Sequence, residues 1–312
     1  MKTSTKILCI IVPAVALTII AAGIINYRAA EREVRTIAET HLNEVSGLMA
    51  REVSASLRSM RNELTWIARH PDVMSMEWDQ MSGYLSEVTE HTSERLTNLM
   101  VIEPDGSYYF AGEGRIKGFR LNDRRYFVDI MNGEPFAMTD PDLSRSTGKK
   151  KYTLAVPIGA HEGKVDGILA TNISLNILSG MLTGASGPDD GFRWVVDSRG
   201  YVIGAADRSL LLDYNLNNAG EKSEGLADIM AAIGQRKRVA QYVSLGNGRH
   251  YFATCQPISG TPGWALVSGV RAETLTAISD GMAMRIVLAL CVAVVIMIGA
   301  VGLIMRKAVD KE

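Results

Sequence analysis

Two uncharged apolar runs bracket this chain and constrain it more than anything between them. From residue 7 to residue 27, and again from 286 to 305, no side chain is charged. Each run matches the roughly 20 residues that a helix needs to cross a bilayer, so both are expected to be transmembrane helices. Lys2 and Lys6 precede the first run as they would in a signal peptide, but the run is long and no small-x-small cleavage site follows it, which favours an uncleaved anchor. Pro13 within it is tolerable, because lipid-embedded helices re-satisfy the carbonyl that a proline frees. Lys2 and Lys6 at one end and Arg306, Lys307 and Lys311 at the other place both termini in the cytoplasm, whereas Arg28, Arg32, Arg35 and Arg285 weigh on the other side. The expected layout is a cytoplasmic N-terminus at 1–6, a span at 7–27, an extracytoplasmic part at 28–285, a second span at 286–305 and a cytoplasmic tail at 306–312, in an inner membrane.

Composition narrows the function by exclusion. A net charge of -1 argues against a nucleic-acid binder, which would carry a basic excess. Of three cysteines, Cys9 and Cys291 fall in the spans, and Cys255 has no partner for an internal disulfide in the soluble part. The five histidines, at 41, 70, 91, 161 and 250, show no metal-ligand spacing. No G-x-S-x-G elbow, phosphate-cradling glycine loop or kinase signature is present, so neither metal nor cofactor is expected and the chain is not expected to be an enzyme. A hydrolase would need carboxylates that converge only in space. Asp189-Asp190 reads as a solvated turn before it reads as a calcium site.

The soluble part opens with apolar residues at Val34, Ile37, Leu42, Val45, Met49, Val53, Leu57, Met60, Leu64 and Ile67, mostly in steps of three and four, which is one face of a long amphipathic helix. This helix, taken as 28–72, should stop at His70-Pro71-Asp72, since proline disfavours helical geometry in the residue before it. It serves as a supporting stalk, a dimer seam or both, or else packs plainly in a core. A second helix is expected from Asp79 to about Arg95. Residues 98–102 and 107–111 then read as strands around the turn Glu103-Pro104-Asp105-Gly106. Residues 152–158 and 165–173 read as two more, joined by the polar turn at 160–164. Gly112-Glu113-Gly114 reads as a loop. After the linker-like stretch 184–191 the grammar repeats, with strands at 194–196 and 201–203 around Asp197-Ser198-Arg199-Gly200 and at 238–245, 249–257 and 264–270. Ala155-Val156-Pro157-Ile158 is echoed by Cys255-Gln256-Pro257-Ile258. Two tandem lobes of one design follow, at 73–190 and 191–275, with a connecting helix at 276–285.

The most specific residues gather between 122 and 172. They are Asp123-Arg124-Arg125-Tyr126-Phe127, then Ser146-Thr147-Gly148 with Ala155-Val156-Pro157-Ile158 following, then Gly167 to Leu175. Their order and spacing resemble the D-R-x-[WY]-[YF], T-G and G-x-x-x-x-[DN]-I-S-L signatures of the double Cache sensor modules of bacterial chemoreceptors, sensor kinases and cyclic-dinucleotide enzymes, over about residues 29–277. The resemblance implies an α+β fold of two tandem PAS-like antiparallel-sheet lobes with a long N-terminal stalk helix, flanked by the two transmembrane helices. The first lobe would be membrane-distal and would bind a small molecule.

Carried over by position, Arg124 would clamp a carboxylate with its planar fork, Tyr126 would add a hydroxyl and Phe127 an apolar wall. Tyr109, Asp140, Ser144 and Asn172 complete the expected site. Family members that bind amino acids carry an aspartate three residues before the threonine of T-G and another just before I-S-L. Here those positions are Ser144 and Asn172, and a buried ammonium without a carboxylate is costly. The expected ligand is a small organic acid in preference to an amino acid, although Asp140 or Asp142 shifting inward would restore amine binding. A scaffold that binds a periplasmic protein through a degenerate pocket is the alternative class. A homodimer through the stalk and spans is a further expectation. Because residues 306–312 are too short for a signalling domain, output would pass either to a separate cytoplasmic partner or to further chain of a longer receptor.

Overall fold

The structure, a computed structural model, describes residues 3–91, 98–144, 147–159, 164–183, 191–218, 224–245 and 248–274, with isolated positions at 96 and between 285 and 299. It divides into two units, one of residues 42–270 and one of residues 1–41 with 271–312. The first apolar run falls within helix α1 (Thr3–Ala68). Among the described residues no helix is long and apolar enough to cross a membrane. The side chains of residues 3–16, the second run apart from single positions, the turn at 160–163 and the linker at 184–190 lie outside that description.

Within the 42–270 unit the α1 stripe is core. Met49, Val53, Leu57, Met60, Leu64 and Ile67 are all buried and share one apolar cluster with residues of two β-sheets, so this part of the helix follows the core-packing alternative. The stripe does not extend to Ile37, which is 62% exposed. The helix ends one turn before Pro71. There His70 takes an extended conformation and its Nδ1 accepts from the Asp72 amide at 3.3 Å, capping the short helix α2 (Pro71–Met74). Proline at the first helical position loses nothing, since that amide would be unpaired in any helix. Helix α3 (Trp78–His91) follows.

The first sheet comprises β1 (Leu99–Ile102), β2 (Tyr108–Phe110), β3 (Gly114–Ile116), β4 (Ala137–Met138), β5 (Asp142–Leu143), β6 (Lys150–Ile158) and β7 (Gly167–Ser174), in the order β3-β2-β1-β7-β6-β4 with β5 also on β6. Helix α4 (Arg125–Met131) covers one face. Every β1 residue is buried because both faces are covered: Leu99 and Val101 join the α1 core, while Met100 and Ile102 join a smaller core with Tyr126, Phe127 and Ile130 of α4. Helix α5 (Leu175–Thr183) leads on. The second sheet comprises β8 (Gly191–Val196), β9 (Val202–Ala205), β10 (Val239–Leu245), β11 (Arg249–Pro257) and β12 (Ala265–Arg271), in the order β10-β11-β12-β8-β9, with α6 (Leu226–Gly234) between β9 and β10.

The two sheets share one connectivity. From one edge each runs second strand, first, last, penultimate, middle, and β3 adds an outer strand to the first sheet. The repeated Pro-Ile falls on equivalent strands. Partner β4 reaches only as far as Ala155 on β6, and β10 only as far as Cys255 on β11, so Pro157 and Pro257 each lie just past the last ladder pair on that side. A residue without an amide hydrogen is tolerated where no ladder bond is required. Three helices, α4, α5 and α6, occupy stretches that the sequence leaves unassigned, and Gly114 opens β3 where a loop is expected.

Polar contacts tie the two sheets together. Trp264, 1% exposed, donates from Nε1 to Asp140 Oδ1 at 3.0 Å and meets the Tyr152 ring edge-on at 5.2 Å. Ser198 Oγ donates to Asp140 Oδ2 at 2.9 Å, and Arg199 Nη2 donates to the Pro141 carbonyl at 2.7 Å. Arg199 is itself held by Asp197, whose carboxyl is pushed up by burial and pulled back by that guanidinium.

Candidate functional site

Strand alternation decides which side chains can meet on the α4 face of the first sheet. Along β6, Tyr152, Leu154, Val156 and Ile158 belong to the α1 core, which turns Lys151, Thr153 and Ala155 to the opposite face. Along β7, Leu169 and Ile173 belong to the α1 core and Ile168 and Ala170 to the α4 core, so Asn172 follows the latter pair. Asn172 pairs directly with Thr153, and Ala170 with Ala155. The centre of this face is thus lined by two small residues, with polar side chains to one side.

Those polar side chains form a connected series. Lys151 Nζ donates to Thr153 Oγ1 at 3.2 Å, and Thr153 Oγ1 donates to Asn172 Oδ1 at 2.9 Å. The Asn172 oxygen is therefore occupied, and its amide nitrogen is the group left to donate. At the other end Lys151 Nζ lies 2.9 Å from Asp142 Oδ1, across the β5–β6 ladder in which the two residues are direct partners. That oxygen is buried and has no hydrogen bond of good geometry among the described residues, so the ammonium compensates it by charge and proximity.

Arg124 sits at the N-cap of α4 with extended backbone (φ −81°, ψ 137°), and its carbonyl accepts from the amides of Phe127 and Val128. Its side chain is 27% exposed, and Nε lies 3.8 Å from Asp123 Oδ1, beyond hydrogen-bond reach. Asp123 therefore does not consume the guanidinium. Burial pushes the Tyr126 phenol well above its ordinary value and raises Tyr108 as well, while the Arg124 charge opposes both shifts. Arg124 thus stands close to two phenols that remain protonated donors at neutral pH. Phe127, 7% exposed, fills the apolar wall between α4 and the sheet. By contrast Arg125 is 91% exposed and pairs along the helix with Asp129.

Three expected residues stand apart from this group. Tyr109 is on the other face of β2, stacked on Trp78 at 4.7 Å with its hydroxyl toward Glu103, and its neighbour Tyr108 occupies the α4 side. A one-residue step along a strand reverses the face. Both oxygens of Asp140 are taken by Trp264 and Ser198, which makes it a tie between the sheets. Ser144 Oγ accepts from the Thr147 amide at 3.3 Å within the turn leading to β6. Arg145 and Ser146 lie outside the described residues. Lys151 and Tyr108 are the members that the sequence reading does not place, and Asp142 enters it only as a residue that could shift inward to restore amine binding. The alternation Lys151-Thr153-Ala155 against Tyr152-Leu154-Val156 is the signal that assigns Lys151 to the Asn172 face.

If Asp140 is structural, Asp140→Ala should leave ligand affinity unchanged within about twofold. It should lower unfolding free energy by about 1–3 kcal/mol, the range for a buried donor left without its partner. Calorimetric titration alongside chemical denaturation checks both parts.

A groove of about 600 Å³ lined by Met74, Pro135, Pro157 and Val165, and a cavity of about 130 Å³ between Arg58, Arg61 and Phe136, are not lined by Arg124, Tyr126 or Asn172. Among the described residues no cluster of three His, Cys, Asp or Glu side chains is arranged to hold a metal ion.

A family model described as Cache domain matches residues 28–278. The ligand-binding domain of the Pseudomonas fluorescens chemoreceptor CtaA, solved with L-isoleucine, superposes with a TM-score of 0.64 at 16% identity, covering 80% of this chain and 98% of that one. The ligand-binding domain of the Pseudomonas aeruginosa PAO1 amino acid chemoreceptor PctC, solved with GABA, superposes with a TM-score of 0.56 at 19% identity, covering 75% and 99%. At these identities the likeness is one of fold.

Proposed function

Because this chain belongs to the Cache domain family, we propose that it is a membrane-anchored extracytoplasmic sensor whose first sheet takes a small carboxylate-bearing ligand on its α4 face, an organic acid in preference to an amino acid. The observation that carries the ligand class is the charge inventory of that face. Arg124 and Lys151 stand against one buried carboxylate oxygen, that of Asp142, and the solvent-facing carboxylate of Asp123, 3.8 Å from Arg124 Nε, and Tyr108, Tyr126 and the Asn172 amide add neutral donors. A guanidinium fork beside neutral donors suits a planar carboxylate. Neither Ser144 nor Asn172 supplies the negative charge that an ammonium would require.

Anchoring is supported by the uncharged runs at 7–27 and 286–305. With the first sheet as the membrane-distal lobe and the second as the proximal one, binding would bias two arrangements of the sheets and pass the difference along α1. Dimerisation through α1 and a cytoplasmic partner complete the proposal. No hydrolytic or transfer chemistry is assigned to the chain.

Thermal-shift screening of the full chain in detergent, with small organic acids set against amino acids at equal concentration, tests the ligand class. Stabilisation by organic acids is expected. Stabilisation by amino acids with the acids silent would refute it. That second outcome has a physical basis in Asp142, whose buried oxygen could turn from Lys151 to a ligand ammonium, and the neighbouring structures hold L-isoleucine and GABA.

Asn172→Asp sharpens the test. A carboxylate beside Thr153 should weaken organic-acid binding about tenfold, equivalent to about 1.4 kcal/mol, and should raise amino-acid binding from its wild-type level. Unchanged titrations with both ligand classes would remove Asn172 from the site.

A further inference from the structure

The cavity between Arg58, Arg61 and Phe136 is separate from the Arg124 site and has its own chemistry. It is lined by Ser54, Leu57, Arg58 and Arg61 of α1, by Phe136 and Met138 around the edge strand β4, and by Ser259 and Gly260 of the turn between β11 and β12. Residues 54, 57, 58 and 61 recur at the three- and four-residue steps of one helix face. Among the described residues no carboxylate lines it and no acidic side chain lies within ion-pair distance of either arginine. Two cations therefore converge on a hollow walled otherwise by the apolar Leu57, Phe136 and Met138 and by the neutral polar groups of Ser54, Ser259 and Gly260.

The geometry of the walls is fixed by specific contacts. The Arg61 guanidinium lies over the Phe136 ring, 4.6 Å from its centroid, which holds its plane against that wall. Ser54 Oγ donates to the Ser259 carbonyl at 2.9 Å, closing the side between α1 and the turn. A side chain built at Gly260 would meet nothing within 4 Å, so the turn presents bare backbone beside open space. The volume of about 130 Å³ corresponds to about four waters at roughly 30 Å³ each. This accommodates an anion of four or five heavy atoms.

We propose that this cavity is a second, small-oxyanion site, in which one anion bridges Arg58 and Arg61 at the junction of α1 with both sheets. Charge-assisted bonds from two guanidinium groups suit inorganic phosphate and a short carboxylate such as acetate alike. Such an anion would relieve the repulsion between two cations with no acidic neighbour among the described residues. Because its walls come from α1, β4 and the β11–β12 turn, an occupant braces these three elements and raises the stability of the folded chain by mass action.

The experiment is thermal unfolding of the full chain across a concentration series of phosphate, and separately of acetate, with chloride at matched ionic strength as reference. A saturable rise in Tm with either anion beyond chloride is expected, and the responding anion identifies the source. Arg58→Gln, at an exposed position that leaves the core intact, should raise the half-maximal anion concentration at least fivefold. In an Arg124→Ala background, where the carboxylate site on α4 is removed, the Arg58→Gln/Arg61→Gln pair should abolish the rise. Arg124→Ala should leave it in place, which separates this site from the carboxylate site on α4. A response equal to that in chloride, or one that persists undiminished in Arg58→Gln, would overturn the proposal.

Discussion

Arg124→Ala is expected to weaken binding of the best carboxylate from the thermal-shift screen by about 30- to 100-fold in calorimetric titration. Removing one partner of a desolvated, hydrogen-bonded charge pair costs about 2–5 kcal/mol. The side chain retains 27% exposure, which places the expected loss at the lower end, about 2–2.7 kcal/mol, where each 1.4 kcal/mol is tenfold. Arg124→Lys separates charge from geometry. It keeps the cation but loses the planar fork, and should recover only part of the affinity. Stability should change little in either variant, because the α4 cap at this position is made by backbone groups and not by the guanidinium. An alanine variant that binds as tightly as wild type would show that the anion is held elsewhere.

The largest effect on stability is expected at Trp264. Its indole is 1% exposed, packs edge-on against Tyr152 of the first sheet and donates to Asp140, although it lies beside the second sheet. Trp264→Ala should cost about 3–5 kcal/mol through lost transfer energy and the cavity left behind. At about 2–4 °C per kcal/mol for a domain of this size, the melting temperature falls by roughly 10 °C. Trp264→Phe keeps most of the volume and loses the N–H, so it should show a smaller loss that reports the Asp140 bond. Denaturant unfolding of the two variants checks this. A loss below about 1 kcal/mol for Trp264→Ala would mean that the indole does not tie the sheets together.

Apart from β3, β4 and β5, the strands were legible in the sequence because each is a short β-rich run closed by a strong turn, as with Glu103-Pro104-Asp105-Gly106 before β2 and Asp197-Ser198-Arg199-Gly200 before β9. The repeated Pro-Ile marked equivalent strands because both prolines lie where the neighbouring strand on one side has already ended. The short helices were not legible. Helix α4 is 7 residues long and starts without a side-chain cap, and α6 is preceded by Gly225 at φ 78° with no side-chain cap bond, so neither carries the usual start signal.

In the site, Arg124, Tyr126 and Phe127 share one short motif, which made them readable together. Tyr108 and Tyr109 are both aromatic and adjacent, and alternation separates their faces without saying which face holds the ligand. The Asp142–Lys151 contact depends on a strand of 2 residues, β5, pairing with β6. Asp140 reads like Asp142 in sequence. Only the approach of Trp264, 124 residues away, distinguishes them.

A structure of the chain with the selected organic acid bound tests the central claim most directly. The expected result is a ligand carboxylate between Arg124 and the Asn172 amide, its oxygens about 2.7–2.9 Å from the guanidinium nitrogens, with Tyr126 beside it. A ligand seated away from α4, or an Arg124 side chain directed to solvent with the acid bound elsewhere, would contradict it.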